Sequence, residues 1–315
     1  MFFVRINNQY VKLHTMNSIP EFPKQTRLTI QHADEFSKAV KSQGIRAAEF
    51  AVYYLTSWYY TRPANISRIG DRLVVDVEGK HGDHLFLGPF GSGDIKPATE
   101  ILLDGIEKVF KQEKVLHFLP QALADEISAA IPPKKIEDHP DFFDYLYSRE
   151  ELADLSGRKF QKRRNQLNKV QRTHNPEIVM LEEKDAQQIL KCIDKWYDRY
   201  GDGDPFLEME RDSIARALPN LWKLGGIGIR VKLEDEMCGL SWAVPITDDV
   251  WLVPVEKAAR DIKGMYQFVN WALANSLPES VKILNREADM GIEGLRIAKQ
   301  RYNPIDFEKK YTLWF

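Results

Sequence analysis

The chain has 315 residues, of which 43% are hydrophobic and 29% charged, and a formal net charge of -2. These values allow sizeable cores and exclude a generally disordered chain; the near-balance of charge excludes binding of nucleic acid or membrane through overall charge, so any anion site must be a local cluster. Two cysteines, Cys192 and Cys238, and seven histidines scattered without ligand spacing predict neither a disulfide framework nor a metal site.

In chain order, apolar spacing predicts helices over Ala33 to Val40 and over Arg46 to Tyr60, where Phe50, Tyr53, Tyr54 and Trp58 recur at helical intervals. Arg72 to Val77 and His84 to Leu87 read as a strand pair around a His-Gly-Asp turn. A helix over Pro97 to Gln112, a strand over Val115 to Leu119 and a helix over Ala122 to Ile131 follow, and Ile131-Pro132-Pro133-Lys134-Lys135 breaks the pattern. Beyond it come a strand from Phe142 to Tyr147, a helix from Lys159 to Thr173, a strand from Ile178 to Leu181, and helices over Ala186 to Tyr200 and Met209 to Leu224. Gly225-Gly226-Ile227-Gly228 reads as a helix end leading into a strand rather than a phosphate loop. Three close strands (Ile227 to Leu233, Cys238 to Ile246, Val250 to Val255) precede a helix over Gly264 to Leu277, a strand over Val281 to Asn285, a helix over Ile292 to Tyr302 and a closing strand, Tyr311 to Phe315. The expected class is α/β (α+β). The element order of the second half is similar to the GNAT acyltransferase fold, and the first half resembles a weaker version of it. Two tandem GNAT-like domains are therefore expected, at residues 1–140 and 141–315. No apolar run approaches the roughly 20 residues that span a bilayer, and the MFFVRINNQY start lacks the uninterrupted core of a secretory signal, so a cytoplasmic protein is expected.

Four segments carry the candidate chemistry. From Arg158 to Arg172 there are seven basic residues and no acidic one. On a helix, Arg158, Lys162, Asn165, Lys169 and Arg172 line one side, with Phe160, Leu167 and Val170 on another; the pattern fits a solvated face and equally a site for phosphate, RNA or an anionic headgroup. Asn285-Arg286-Glu287-Ala288-Asp289-Met290-Gly291 follows an apolar strand directly, at the carboxyl end where open α/β folds place ligands. There Glu287 and Asp289 could take a proton or bind an amine, and Asp289 could equally cap a helix. In Gly294 to Pro304, Leu295, Ala298 and Tyr302 share a helix face, while Arg296 and Lys299 lie beside it as two cations able to clamp a carboxylate or phosphate or simply to face solvent. Arg260-Asp261-Ile262-Lys263-Gly264-Met265-Tyr266 lies between a strand and a helix, where a CoA-dependent enzyme usually carries R/Q-x-x-G-x-G/A. Its single glycine and different spacing weigh against acetyl-CoA or another acyl-CoA as cofactor, although a helix N-terminus there could still meet an anion.

The run Leu155 to Lys169, the run Asn285 to Gly291 and the run Gly294 to Pro304 ending near Lys310-Tyr311 resemble soluble members of the phosphatidylglycerol lysyltransferase C-terminal domain family. Asp144-Tyr145-Leu146-Tyr147 and the aromatic region from Tyr53 to Tyr60 fit the same resemblance, which covers most of the chain. It implies two tandem GNAT-like domains related to Fem-type transferases and an aminoacyl-tRNA donor. It also implies an acceptor such as a lipid headgroup or peptide. On that reading Arg296, Lys299 and Tyr302 lie near the donor or an acceptor phosphate, with Asn285 and Arg286 beside them. Glu287 and Asp289 face the ammonium group or assist proton removal. The basic helix, through Arg158, Lys159, Lys162, Arg163, Arg164 and Asn165, meets tRNA or an anionic headgroup. The sequence departs from the pattern at Ala288 and Met290, and the membrane-spanning half of the lysyltransferases has no counterpart in it. A non-catalytic RNA- or anion-binding protein and a CoA-dependent N-acetyltransferase remain as alternatives.

Overall fold

The structure is a computed structural model that describes residues 3–6, 9–12, 18–58, 63–79, 82–201, 203–234 and 236–315. Tyr59 and Tyr60 of the expected aromatic helix and His81 of the expected turn lie outside those residues. The first half contains β1 (Phe3–Ile6), β2 (Gln9–Lys12), β3 (Thr26–Arg27), α1 (Ala33–Ser42), α2 (Val52–Trp58), β4 (Ala64–Ile69), β5 (Arg72–Glu78), β6 (His84–Gly91), α3 (Ile95–Lys108), β7 (Val115–Pro120), α4 (Gln121–Ala130) and β8 (Lys135–Asp138). The second half contains β9 (Asp144–Ser148), α5 (Arg149–Asp154), α6 (Gln161–His174), β10 (Glu177–Met180), α7 (Ala186–Tyr200), α8 (Pro205–Lys223), β11 (Ile227–Leu233), β12 (Glu236–Pro245), β13 (Val250–Ala258), α9 (Met265–Ser276), β14 (Ile283–Asn285), α10 (Glu293–Gln300), β15 (Asp306–Glu308) and β16 (Lys310–Trp314).

Local chemistry explains where several of these elements depart from the expected ones. The helix expected over Arg46 to Tyr60 is broken, with a 3-10 turn at Ala48–Phe50 and α2 starting only at Val52. The break lies at Ala51, whose backbone is extended (φ -100, ψ 126), while the Ala48 amide of the 3-10 turn is tied to the second half by its bond to Asp144 Oδ2 at 2.8 Å. The strand expected from Phe142 begins at Asp144, because Pro140–Phe142 form a 3-10 turn with Pro140 at its first position. Helix α8 begins at Pro205 rather than Met209, since Asp204 caps it by accepting from the Phe206 amide and the proline occupies the first turn, where its missing N–H costs nothing. Helix α10 stops at Gln300 and leaves Tyr302 in the following turn. The short polar strands β8 and β15 were not anticipated; each takes its place only by pairing with β16 or β9.

The second half is organised on a seven-stranded sheet of order β10-β11-β12-β13-β14-β9-β15, in which only β13 and β14 are parallel. One face is covered by α5, α6 and α9, around Phe160, Leu167, Val170, Phe268 and Val269. The other face joins the first half in one continuous core, where Trp242, Val244 and Leu252 share a cluster with Phe50, Tyr53 and residues of α7 and α8. The first half has a four-stranded sheet, β3-β4-β5-β6, and a three-stranded sheet, β7-β16-β8, whose central strand is the last of the chain. The C-terminal strand is thus paired on both sides by strands that precede residue 140.

That return of the chain buries a charged cluster where the halves meet. Lys310 Nζ, on a side chain only 1% exposed, donates to Asp144 Oδ1 at 2.8 Å and to Glu49 Oε1 at 2.7 Å. Asp144 Oδ2 accepts from the Ala48 amide and from Asn285 Nδ2, and Asn285 Nδ2 donates also to the Arg46 carbonyl. Arg46 in turn pairs with Glu308 at 2.8 Å and Asp306 at 2.9 Å. Removing one partner of a buried ion pair strands the others without water, at a cost of about 3–5 kcal/mol. Lys310→Ala is therefore expected to lower unfolding stability by about that amount, read as a reduced midpoint in urea; a loss under about 1 kcal/mol would show that the cluster does not hold the halves together.

Candidate active site

The site is built where β13 and β14 part. Their parallel register runs through Val250↔Ile283, Trp251↔Leu284 and Leu252↔Asn285 and then ends. Strand β13 continues to Ala258, whereas the chain beyond Asn285 follows β9 instead: the Arg286 amide donates to the Tyr145 carbonyl and the Tyr145 amide to the Glu287 carbonyl. The two strands form a fork, open at their carboxyl ends, and the polar run Asn285 to Gly291 lies in it. Glu287 has φ 57, a left-handed conformation that a non-glycine residue adopts only when its surroundings impose it. Three hydrogen bonds do so here. Its amide donates to Asn285 Oδ1 at 2.7 Å, and its carbonyl accepts from Lys299 Nζ at 3.0 Å and from the Tyr145 amide at 3.2 Å.

Successive residues of this run go to opposite faces of the sheet. Arg286 turns toward α9 and α6. It is largely buried, donates to Glu256 Oε1 of β13 at 2.8 Å across the fork, and lies over the rings of Tyr147 at 5.3 Å and Tyr302 at 4.7 Å. Glu256 is held on its other oxygen by Asn270 Nδ2 at 3.0 Å. Arg163 of α6 sits on Tyr302 at 4.8 Å, so that Arg163, Tyr302 and Arg286 form a stack from the basic helix into the fork.

Glu287 turns the other way, toward the core shared with the first half and the Tyr53 hydroxyl. Burial pushes its carboxyl up to about 8, against the opposing pull of Lys299. Burial also draws the Lys299 ammonium down. Lys299 Nζ caps the carbonyls of Arg286 and Glu287, and its own carbonyl accepts from the Tyr147 hydroxyl at 2.9 Å.

Around the fork several buried polar atoms lack a hydrogen-bond partner: Arg286 NH1, Asn270 Oδ1 and Tyr302 OH on one face, Glu287 Oε1, Tyr53 OH and Trp242 Nε1 on the other. Buried polar groups are nearly always paired with protein, water or ligand, and here donors and acceptors occur together.

Asp289 and Arg296 are brought together, apart from Glu287. Arg296 grips both oxygens of Asp289 at 2.9 Å, Tyr145 OH donates to Oδ2 at 2.6 Å and the Gly291 amide to Oδ1 at 2.9 Å. Arg296 also reaches Asp141. Asp289 is saturated, and the bonds from Arg296 and Tyr145 hold its carboxyl at about 2. Of the basic segment, Arg158, Lys159, Lys162 and Asn165 line an open groove of about 600 Å³ with Lys169 and Lys263, and no acidic side chain lines it. Lys159 is engaged by Glu151 at 2.7 Å. Arg163 faces inward, and Arg164 turns back to the carbonyls of Leu155 and Gly157. Gly264, φ 102, precedes α9, and an added Cβ there would lie 3.1 Å from the Gln166 carbonyl of α6, so the loop of the expected pyrophosphate position is pressed against the basic helix.

A family model for the C-terminal part of phosphatidylglycerol lysyltransferase matches residues 45–314. The chain belongs to this family. The mixed α/β class expected for it is the one found. Among solved structures, a conserved protein of unknown function from Bacteroides thetaiotaomicron is 27% identical, with a TM-score of 0.86 over 92% of this chain and 99% of that one. The C-terminal domain of a putative lysylphosphatidylglycerol synthetase from Agrobacterium fabrum is 12% identical, with a TM-score of 0.60 over 90% and 92%. L-PGS from Bacillus licheniformis is 13% identical, with a TM-score of 0.57 over 94% and 93%. A search of curated proteins gives no match. Family and fold together mark the chain as an acyltransferase of the lysylphosphatidylglycerol synthase type. No helix among the described residues is long and apolar enough to cross a membrane.

In this family member the sequence signals missed Glu256 and Asn270, which look like ordinary strand and helix residues until β13 and α9 converge, and left Tyr53 as one of a run of aromatic residues; the alternation of Val255, Glu256 and Lys257 within an otherwise apolar strand was a clue to Glu256. The Asp289–Arg296 brace has a pH signature. The folded carboxyl lies below its ordinary 3.8, so its contribution is complete above about pH 4 and is lost as the pH falls toward 2. The stability gap between the wild type and Arg296→Gln, measured by urea unfolding, is expected to be widest near neutral pH and to close toward pH 2. A gap that does not change with pH would count against the brace.

Proposed function

We propose that the protein transfers an aminoacyl group from aminoacyl-tRNA to an amine or hydroxyl acceptor. The observation that carries this reading is the mixed set of unpartnered buried donors and acceptors around the fork, with an enclosed, unpaired carboxyl oxygen on Glu287 at its edge. An α-aminoacyl ester has the complementary pattern. Its ammonium suits Asn270 Oδ1 and the carboxylate of Glu256, and its carbonyl oxygen suits Arg286 NH1 and the Tyr302 hydroxyl, which would stabilise the charge that develops during attack. Glu287, held near 8, takes the proton from the acceptor's hydroxyl or ammonium-derived amine as the new bond forms. It then returns the proton to the departing ribose oxygen as the ester bond breaks. Lys299 keeps the Glu287 backbone in its left-handed turn. In this assignment Asp289 and Arg296 position the loop rather than touch substrate.

The groove of Arg158, Lys162, Lys169 and Lys263 supports a polyanionic donor, and the stack through Arg163 and Tyr302 links it to the fork. Binding of aminoacyl-tRNA should weaken steeply with salt, and Lys162→Ala with Lys169→Ala should reduce the slope of log K against log salt by about 1–2. Nitrocellulose filter binding over a salt series measures this, and an unchanged slope would remove the groove from the reading. Thermal stabilisation by acetyl-CoA, with none by aminoacyl-tRNA, would reassign the donor.

Glu287→Gln is expected to reduce transfer by about 100- to 10,000-fold without unfolding the chain. In the wild type the rate should rise with pH through about 8 as the carboxyl ionises, and that limb should vanish in the variant. Stability should run the opposite way. A carboxyl raised in the folded state contributes fully below its ordinary 4.5 and loses that contribution as the pH rises through about 8, so the glutamine variant gains on the wild type at alkaline pH. Equal activity in the two proteins would end the assignment of Glu287 as base.

A further inference from the structure

Every other helix of eight or more residues among those described has at least three residues shut off from solvent, whereas α10 has none. Its attachments lie along one side. Lys299 Nζ reaches the carbonyls of Arg286 and Glu287, Arg296 grips Asp289, and Tyr302, just past the helix, is buried beneath Arg286. At about 100° per residue these three side chains set the inner side of the helix, and the residues opposite them are Glu293, Gly294, Ile297 and Arg301. All four are exposed, and a Cβ added at Gly294 would meet nothing within 4 Å. Arg301 still has a helical backbone (φ -64, ψ -15), so the stripe runs unbroken: Ile297 at its centre, Glu293 one turn before it and Arg301 one turn after. Neither charged group has an ion-pair partner among the described residues. Met290 and Ile292, immediately before the helix, and Leu295 within it add exposed apolar surface.

We propose that this face of α10 pairs with the same face of a second copy of the chain, the two helices lying antiparallel across a two-fold axis at Ile297. An acid, an apolar residue and a base in that order along one stripe are their own complement under such a rotation. Each Glu293 meets the partner's Arg301, the two Ile297 side chains meet each other, and Gly294, having no side chain, lets the helices come close. A parallel pairing would set Glu293 against Glu293 and Arg301 against Arg301. Charge also selects the occupant. The stripe carries one charge of each sign, so it has no net attraction for an anionic bilayer or a polyanion, unlike the groove of Arg158, Lys162, Lys169 and Lys263, which no acidic side chain lines. One short helix and its apolar flanks make a contact smaller than that of a permanent dimer, so the association is reversible, with a dissociation constant in the range of about 1–100 µM. The pairing does not depend on the transferase reading. It bears on the fork all the same, because α10 carries the Lys299 ammonium that holds the Glu287 carbonyl, and a second copy seated on α10 would brace that turn.

The test is sedimentation equilibrium of the full chain at loading concentrations from about 1 to about 200 µM. The wild type is expected to pass reversibly from monomer to dimer over that range. Glu293→Arg and Arg301→Glu each set like charges against each other on both sides of the axis, and each should weaken the dimer about tenfold or more. An equimolar mixture of the two variants restores opposite charges at both contacts, and so does the double variant paired with itself. Dimer should therefore return in both cases, which also shows that the single variants are folded. Ile297→Asp should weaken association in the wild type and in the double variant alike. A monomer at every concentration, a dimer indifferent to the single reversals, or weakening without recovery in the mixture and the double variant overturns the proposal. Flotation with vesicles of dioleoylphosphatidylglycerol checks the competing occupant: a protein that stays monomeric in solution but binds vesicles, and loses that binding with Ile297→Asp, gives the face to a bilayer and overturns the pairing.

Discussion

The molecule is organised around one buried ammonium group. Lys310 Nζ lies between Glu49 of the first half and Asp144 at the start of the second, on a strand that the chain inserts between β7 and β8. Charges without water must be matched closely, because their desolvation is recovered only through short, well-aligned partners. That requirement fixes the distance between the halves and, through Asp144, the position of Asn285. Asn285 then orients the Glu287 amide. Three hydrogen bonds thus run from the Lys310 ammonium to the Glu287 amide at the fork, and the charged groups of Arg46, Asp306 and Glu308 extend the same cluster along the seam. Burial raises Glu308 to about 7, while the neighbouring Arg46 opposes the shift.

The second constraint is the left-handed turn that the chain makes at Glu287, just past the end of β14. Once β13 and β14 separate, neighbouring residues Arg286 and Glu287 reach opposite sides of one sheet, the first to Glu256, Tyr147 and Tyr302, the second to Tyr53. A fork of this kind lets two molecules approach the same backbone from two sides. It also leaves polar groups that neither a sheet partner nor a helix can satisfy, which is the condition a ligand with both donors and acceptors relieves. Strain at Glu287 persists because three hydrogen bonds, one of them from Lys299, over-determine its turn.

The basic helix and the Asn285 to Lys299 stretch were both visible in the chain because each concentrates its charge within a few turns or beside an apolar strand. What could not be seen was how the charges divide. Arg163 and Arg164 belong to the same run as Lys162, yet one is stacked on Tyr302 and the other ties down the Leu155 carbonyl. Asp289 and Arg296 neutralise each other, whereas Glu287, two residues away from Asp289, keeps a buried oxygen, Oε1, without a hydrogen-bond partner. Helical spacing placed Arg296 and Lys299 together, but one points to a carboxylate and the other to main-chain carbonyls.

By itself the sequence determined the α/β class, the succession of helices and strands in the second half, the local concentration of cations on one helix and the polar loop after an apolar strand. These follow from periodicity, composition and end-capping chemistry, all of which act over a few residues. The tertiary structure alone decided the break in the helix before Val52, the placing of the last strand among earlier ones, the joining of Glu49, Asp144, Asn285 and Lys310, and the company of Glu287 with Tyr53. Those contacts link residues far apart in the chain whose local patterns are unremarkable, and they are selected by a shared requirement, that buried charges and hydrogen-bonding groups find partners where water cannot reach.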